Sequence, residues 1–140
     1  MDRIGFCMAL AAAKLSTGLS SRDISYGMKM HLQHLREFEF GNHNFNLKTV
    51  LSYLAAINYH LVLLDEERNA FTVSEYEMLG PYFFKKRTEA QFTMYDLSLE
   101  LGCSVSAISN FERVISVVHI DIFLALANEL GIFPVFIPNE

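Results

Sequence analysis

The sequence predicts a mostly α fold: two tandem copies of one small domain, joined in a single polypeptide as a pseudo-dimer, with a small β-sheet from the strands that follow each copy. Two observations carry this expectation. Leu19 aligns with Phe92, an offset of 73 residues, and a long run then stays in register without a gap; self-similarity at a fixed spacing marks a repeated structural unit. Each copy also closes in the same order, with a stretch of helical apolar spacing and then an apolar extended run. The expected organisation is 1–64 for the first copy with its strand, 65–80 for a linker with a hairpin and short helix, and 81–140 for the second copy with its strand.

Ser20 to Asp23 (SSRD) and Thr93 to Asp96 (TMYD) read as matched capping boxes, in which the hydroxyl caps the first turn and the acid favours the positive helix end. Behind them Ile24 matches Leu97, Met30 matches Cys103, Leu35 matches Ile108, Phe38 matches Phe111 and Glu39 matches Glu112. Leu47 to Asn58 and Ile120 to Leu130 have helical periodicity, with Asn46 and His119 as cap candidates. His60 to Leu64 and Phe133 to Ile137 are then rich in β-branched and aromatic residues and read as strands. Asp65 to Asn69 is a polar turn, and Ala70 to Val73 returns as a hairpin strand. Ser74 to Glu77 reads as a further capping box, and Pro81 as the start of the helix that opens the second copy. Leaving two matching strands unpaired would expose two edges, so Leu61 to Leu64 and Val135 to Ile137 are expected to meet in one sheet, widened by Ala70 to Val73.

Hydrophobic residues make up 51% of the 140, enough for packed cores and too many for disorder. Cys7 and Cys103, both placed in apolar helical stretches, have no CxxC or Cys/His spacing, so neither a disulfide framework nor a zinc site is indicated. The apolar stretch Ala9 to Ala13 is short and interrupted by Lys14, and no segment is long enough to span a bilayer, so a cytoplasmic protein without membrane contact is expected. The net charge of −5 is unhelpful for a nucleic-acid binder, and any DNA contact must use local basic patches.

The second copy, FTMYDLSLELGCSVSAISNFE followed by LALANELGI, resembles the Cro/repressor (XRE) helix-turn-helix family, and LSSRDISYGMKMHLQHLREFEFG followed by LKTVLSYLAAI is a less complete match. The resemblance implies two lambda-repressor-like domains of five helices each, with a recognition helix beginning at Ser104. It implies ion pairs of Lys14 with Glu39 and Arg87 with Glu112 between the first and third helices. It also implies double-stranded DNA as partner and transcription regulation as the role. Lys29 stands where the family has a turn glycine, so the first turn is expected to be remodelled around Gly27. Gly41 keeps a glycine after the first recognition helix, whereas Val114 replaces it in the second copy.

In the family the start and solvent face of the third helix enter the major groove. The implied reading positions are Leu32, Gln33 and Glu37 in copy one and Val105, Ser106 and Asn110 in copy two. Gln33 and Asn110 suit adenine, Leu32 or Val105 can meet a thymine methyl, and Glu37 can accept from cytosine but is repelled by phosphates. Around them, Arg22, His31, Arg36, Lys85, Lys86, Ser104, Ser109 and Arg113 complete the candidate DNA-binding set, with Lys29 and Lys48 as further local cations. Copy two is expected to be the better reader because its turn is intact and it lacks Glu37. His31 and His34, with His43 nearby, lack a carboxylate or cysteine to complete a metal set, so a solvated pair is expected and no metal or cofactor. No phosphate loop, nucleophile elbow or carboxylate pair points to an enzyme. The alternative is a protein-interaction module, antitoxin-like or an adaptor, that keeps the scaffold without reading DNA. Self-association is compatible with either reading.

Overall fold

The structure is a computed structural model and describes residues 1–140. Four helices come first: α1 (Arg3–Leu15), α2 (Ser21–Met28), α3 (Leu32–Glu39) and α4 (Leu47–Ala56). A hairpin follows, β1 (Tyr59–Leu64) and β2 (Ala70–Val73), then one 3-10 turn at Tyr76–Met78. The chain continues through α5 (Leu79–Glu89), α6 (Met94–Leu101), α7 (Val105–Glu112) and α8 (Ile120–Glu129) and ends on β3 (Phe133–Pro138). The protein is therefore mostly helical, with eight α-helices and one three-stranded antiparallel sheet in the order β2-β1-β3. No helix is long and apolar enough to cross a membrane.

The repeat is in the backbone as well as in the sequence. The bounds of α2, α3 and α4 become those of α6, α7 and α8 on adding the same 73 residues. Left-handed backbone recurs at the same places: Gly18 and Gln91, Lys29 and Gly102, Gly41 and Val114, Asn58 and Gly131. Each pair holds one glycine, so the two copies share a turn geometry that only one of them fits without strain. Both capping boxes form, with Ser20 Oγ accepting from the Asp23 N–H at 3.1 Å and Thr93 Oγ1 from the Asp96 N–H at 3.0 Å.

Several sequence expectations are corrected. Each copy has four helices, not five: Asn58 and Gly131 turn the chain out of α4 and α8 with φ of 65° and 67°, and β-branched and aromatic residues then continue as strand. Ser74 to Glu77 forms no capping box, because the Ser74 N–H donates instead to Met78 Sδ and no side chain caps the 3-10 turn. α5 starts at Leu79, two residues before Pro81. Cys103 lies in the turn between α6 and α7, not in a helix. Asn46 caps α4 through the Thr49 N–H, whereas His119 makes no side-chain cap.

His119 has another place. Its backbone bridges Asn46, its own counterpart, with Leu47 N–H donating to Val118 O and Ile120 N–H to Phe45 O, both at 2.9 Å. Under the offset these two bonds exchange with one another. The same holds for β1 and β3, which pair as expected: Val62 stands opposite its counterpart Val135, with Leu61 facing Phe136 and Leu63 facing Pro134 on either side. Contacts in which i meets j and j meets i are the signature of a two-fold axis, here internal to one chain. Pro134 and Pro138 lack N–H groups, which blunts the free edge of β3.

One connected cluster of 28 buried apolar residues runs through both copies, so the two halves share a continuous core. Phe123 of α8 is its junction, with ring centroids 6.1 Å from Phe6 of α1 and 5.8 Å from Phe83 of α5. The hairpin has additional anchors. Phe71 stacks on Tyr82 at 4.4 Å, and Lys86 Nζ lies 3.0 Å from Asp65. The Lys86 ammonium, helped by the Asn69 N–H, holds the Asp65 carboxyl down to about 2. Since this is a lowered carboxylate, its contribution is complete above its ordinary range of about 4 and fades as pH falls toward 2. Acid titration followed by fluorescence of the nearby tyrosines is expected to show the hairpin tip loosening across that window, and a Lys86→Met chain should loosen at higher pH.

Candidate nucleic-acid interface

In each copy two eight-residue helices meet at a short turn. The left-handed residue that makes the turn possible is Gly102 in copy two (φ 65°, ψ 28°) and Lys29 in copy one (φ 55°, ψ 41°). The first turn is therefore not remodelled around Gly27; Lys29 adopts the glycine geometry and carries the strain. Relieving it by Lys29→Gly is expected to raise stability by about 1 kcal/mol, since the Lys29 side chain is exposed. Chemical denaturation of the two chains checks this.

The third helix of each copy is held by its terminal acid. In copy two Arg87 of α5 binds Glu112 through two bonds, Nε to Oε2 at 2.6 Å and Nη2 to Oε1 at 2.9 Å, while Nη1 donates to Phe92 O at 2.8 Å. That carboxylate raises the Arg87 pKa further above its ordinary value. Gly80 lets α5 approach this helix end so closely that a Cβ there would lie 2.6 Å from Phe111 O. In copy one Lys14 Nζ meets Glu39 Oε2 at 2.6 Å and donates to Ser21 Oγ at 2.8 Å. Ser21 donates in turn to Glu39 Oε1, and Tyr53 donates to Oε2 at 2.7 Å. Lysine is a point donor where arginine is a fork, so copy one recruits a serine and a tyrosine to fill the carboxylate. Both expected ion pairs are present, and Ser21 and Tyr53 are partners that the repeat did not reveal, because their counterparts are Met94 and Leu126.

On the outward faces the structure places Arg22, His31, Gln33 and Arg36 in the open in copy one. In copy two Ser104, Val105, Ser106 and Arg113 are exposed, with Ser109 and Asn110 half-buried. Ser104 caps α7 by accepting from the Ala107 N–H at 3.1 Å, and His31 precedes α3 without a side-chain cap. Leu32 is half-buried and packs on the core, which leaves less of it for a base than the sequence suggested. Compared with protein-family models, curated proteins and solved structures, the chain matches none.

Two further candidates change standing. Lys86 is committed to Asp65 at the hairpin, and its side chain is only 17% exposed, so it is not free to serve this face. Lys85 points outward and reaches Glu89 at 4.0 Å. Glu37 is not a bare acid: His43 Nε2 lies 3.1 Å from its carboxylate and His34 Nε2 3.9 Å, and both rings stand edge-on to Phe45. The two reasons for ranking copy two ahead of copy one, a disturbed first turn and a repelling Glu37, are thus both weakened. Tyr26, one helical turn beyond Arg22, is 89% exposed and was missed. With Arg22, Lys29 and His31 it lines a shallow cleft of about 620 Å³ between α2 and α3. Its i,i+4 spacing from an arginine was the available signal.

Proposed function

We propose that the chain binds double-stranded DNA as a sequence-specific transcription regulator, using two lambda-repressor-like helix-turn-helix domains joined as a pseudo-dimer. The observation that carries this reading is the internal two-fold axis between Val62 and Val135. The same rotation relates α2, α3 and the turn between them to α6, α7 and theirs, so the two helix-turn-helix units are dyad-related. Two recognition helices related by a dyad match the symmetry of a duplex with half-sites about 34 Å apart. Gln33 on α3 and Asn110 on α7 carry amides suited to adenine, and the ion pairs at Glu39 and Glu112 fix each helix against its own domain.

A second reading has its own observation. Tyr95 and Leu99 of α6 are 63% and 64% exposed, and Val105 of α7 is 40% exposed, an apolar strip better suited to a protein partner than to phosphate. Base preference separates the two. Asn110→Ala is expected to relax discrimination at one base pair by about 1–3 kcal/mol with the fold unchanged. Equal binding of the two chains to every duplex would remove Asn110 from the reading, and no binding by either would favour the protein partner.

A further inference from the structure

We infer that phosphate contacts come from the first copy alone, so that on DNA the protein grips the backbone of one half of a two-fold site and meets the other half only through base contacts such as that of Asn110. The inference rests on the DNA reading above and concerns how that site is used. Because the backbones of the copies match, each side chain has a defined counterpart, and the exposed cations of copy one are replaced throughout, although its one acid on the reading face, Glu37, also becomes neutral Asn110. Arg22, Lys29, Arg36 and Lys48 of copy one become Tyr95, Gly102, Ser109 and Asp121 in copy two. Every cation around the first helix-turn-helix is thus absent from the second.

The surroundings sharpen the contrast. Arg22, Lys29 and Arg36 are exposed and take part in none of the ion pairs of the chain. Asp121, by contrast, is the partner of Arg3 at 2.7 Å, and Glu100 adds an exposed acid where copy one has Gly27. Of the basic residues that copy two does possess, Arg87 is buried on Glu112, Lys86 is held by Asp65 and Lys85 reaches Glu89 on α5, which leaves Arg113, exposed at the C-terminal end of α7, as its one unpaired cation. Since neutralising phosphates supplies most sequence-independent affinity, a duplex laid across both copies is attracted at one end and meets an acidic and apolar surface at the other. The cleft of Arg22, Tyr26, Lys29 and His31 gives the attracted strand a seat.

The test uses the full chain, duplexes of random sequence and a titration of salt. Arg22→Ala, Lys29→Ala and Arg36→Ala are each expected to make the dependence of log affinity on log salt shallower by about one, and Lys29→Gly should do so while stabilising the fold. Lys85→Ala and Arg113→Ala should leave affinity within about twofold, well under the tenfold that a lost 1.4 kcal/mol represents. On a selected site, hydroxyl-radical cleavage should show strong protection over the half-site held by copy one and weak protection over the other. Equally strong protection of two half-sites a helical turn apart, or equal losses from the copy-two variants, would overturn this inference and leave DNA binding standing. Absence of salt-sensitive binding by the unmodified chain would instead sink the DNA reading, and this inference with it.

Discussion

Glu112→Ala is expected to destabilise the protein by about 3–5 kcal/mol, because it leaves a buried guanidinium without its carboxylate. Arg87 and Glu112 expose only 10% and 4% of their side chains, and two parallel bonds join them. Water therefore cannot replace the lost partner. Glu39→Ala should cause a loss of the same order, since it strands Lys14 and removes the acceptor of both Ser21 and Tyr53. Urea denaturation measures both. Replacing Arg87 and Glu112 together by methionine and leucine should recover much of the loss, as the penalty belongs to the unpaired charge more than to the pair. A loss below 1 kcal/mol for Glu112→Ala would mean that the pair is solvated.

Phe123→Ala is expected to cost about 3–5 kcal/mol, the range for removing a buried aromatic ring. Phe123 is fully buried between Phe6 and Phe83, one from each copy, and belongs to a cluster that runs through both. The loss should appear in a single transition. Tyrosine fluorescence reports on Tyr53 in copy one and Tyr76 and Tyr82 beside copy two, and circular dichroism reports on all eight helices; the two curves should coincide before and after the substitution. Separate transitions for the two halves would contradict a shared core.

Much of this was legible in the sequence because it depends on local pattern. The capping boxes, the helical spacing behind them and the extended runs after Asn58 and Gly131 are all short-range signals. The meeting of β1 with β3 followed from asking where two unpaired edges would go. The ion pairs at Glu39 and Glu112 came from family resemblance and could not have come from spacing, since 25 residues separate each pair. What stayed hidden depends on tertiary packing. Lys29 in a left-handed turn contradicts its propensity, and only the surrounding fold, shared with a copy that has Gly102 there, makes it intelligible. Lys86 counted as a free cation until the hairpin brought Asp65 to it, and Glu37 as a free acid until His43 reached it from the following loop. The self-exchanging bridge of Asn46 with His119 had no signature at all, because each residue looked like an ordinary helix cap.

The most direct test of the central claim, that two helices related by an internal two-fold bind duplex DNA, is retention of a randomised duplex pool at low salt followed by sequencing of what is kept. The account predicts retention that weakens as salt rises, with a modest slope because few cations are free, and enrichment of a motif containing adenine at the positions read by Gln33 and Asn110. Retention that ignores salt, or a sequenced pool indistinguishable from the input, would contradict it.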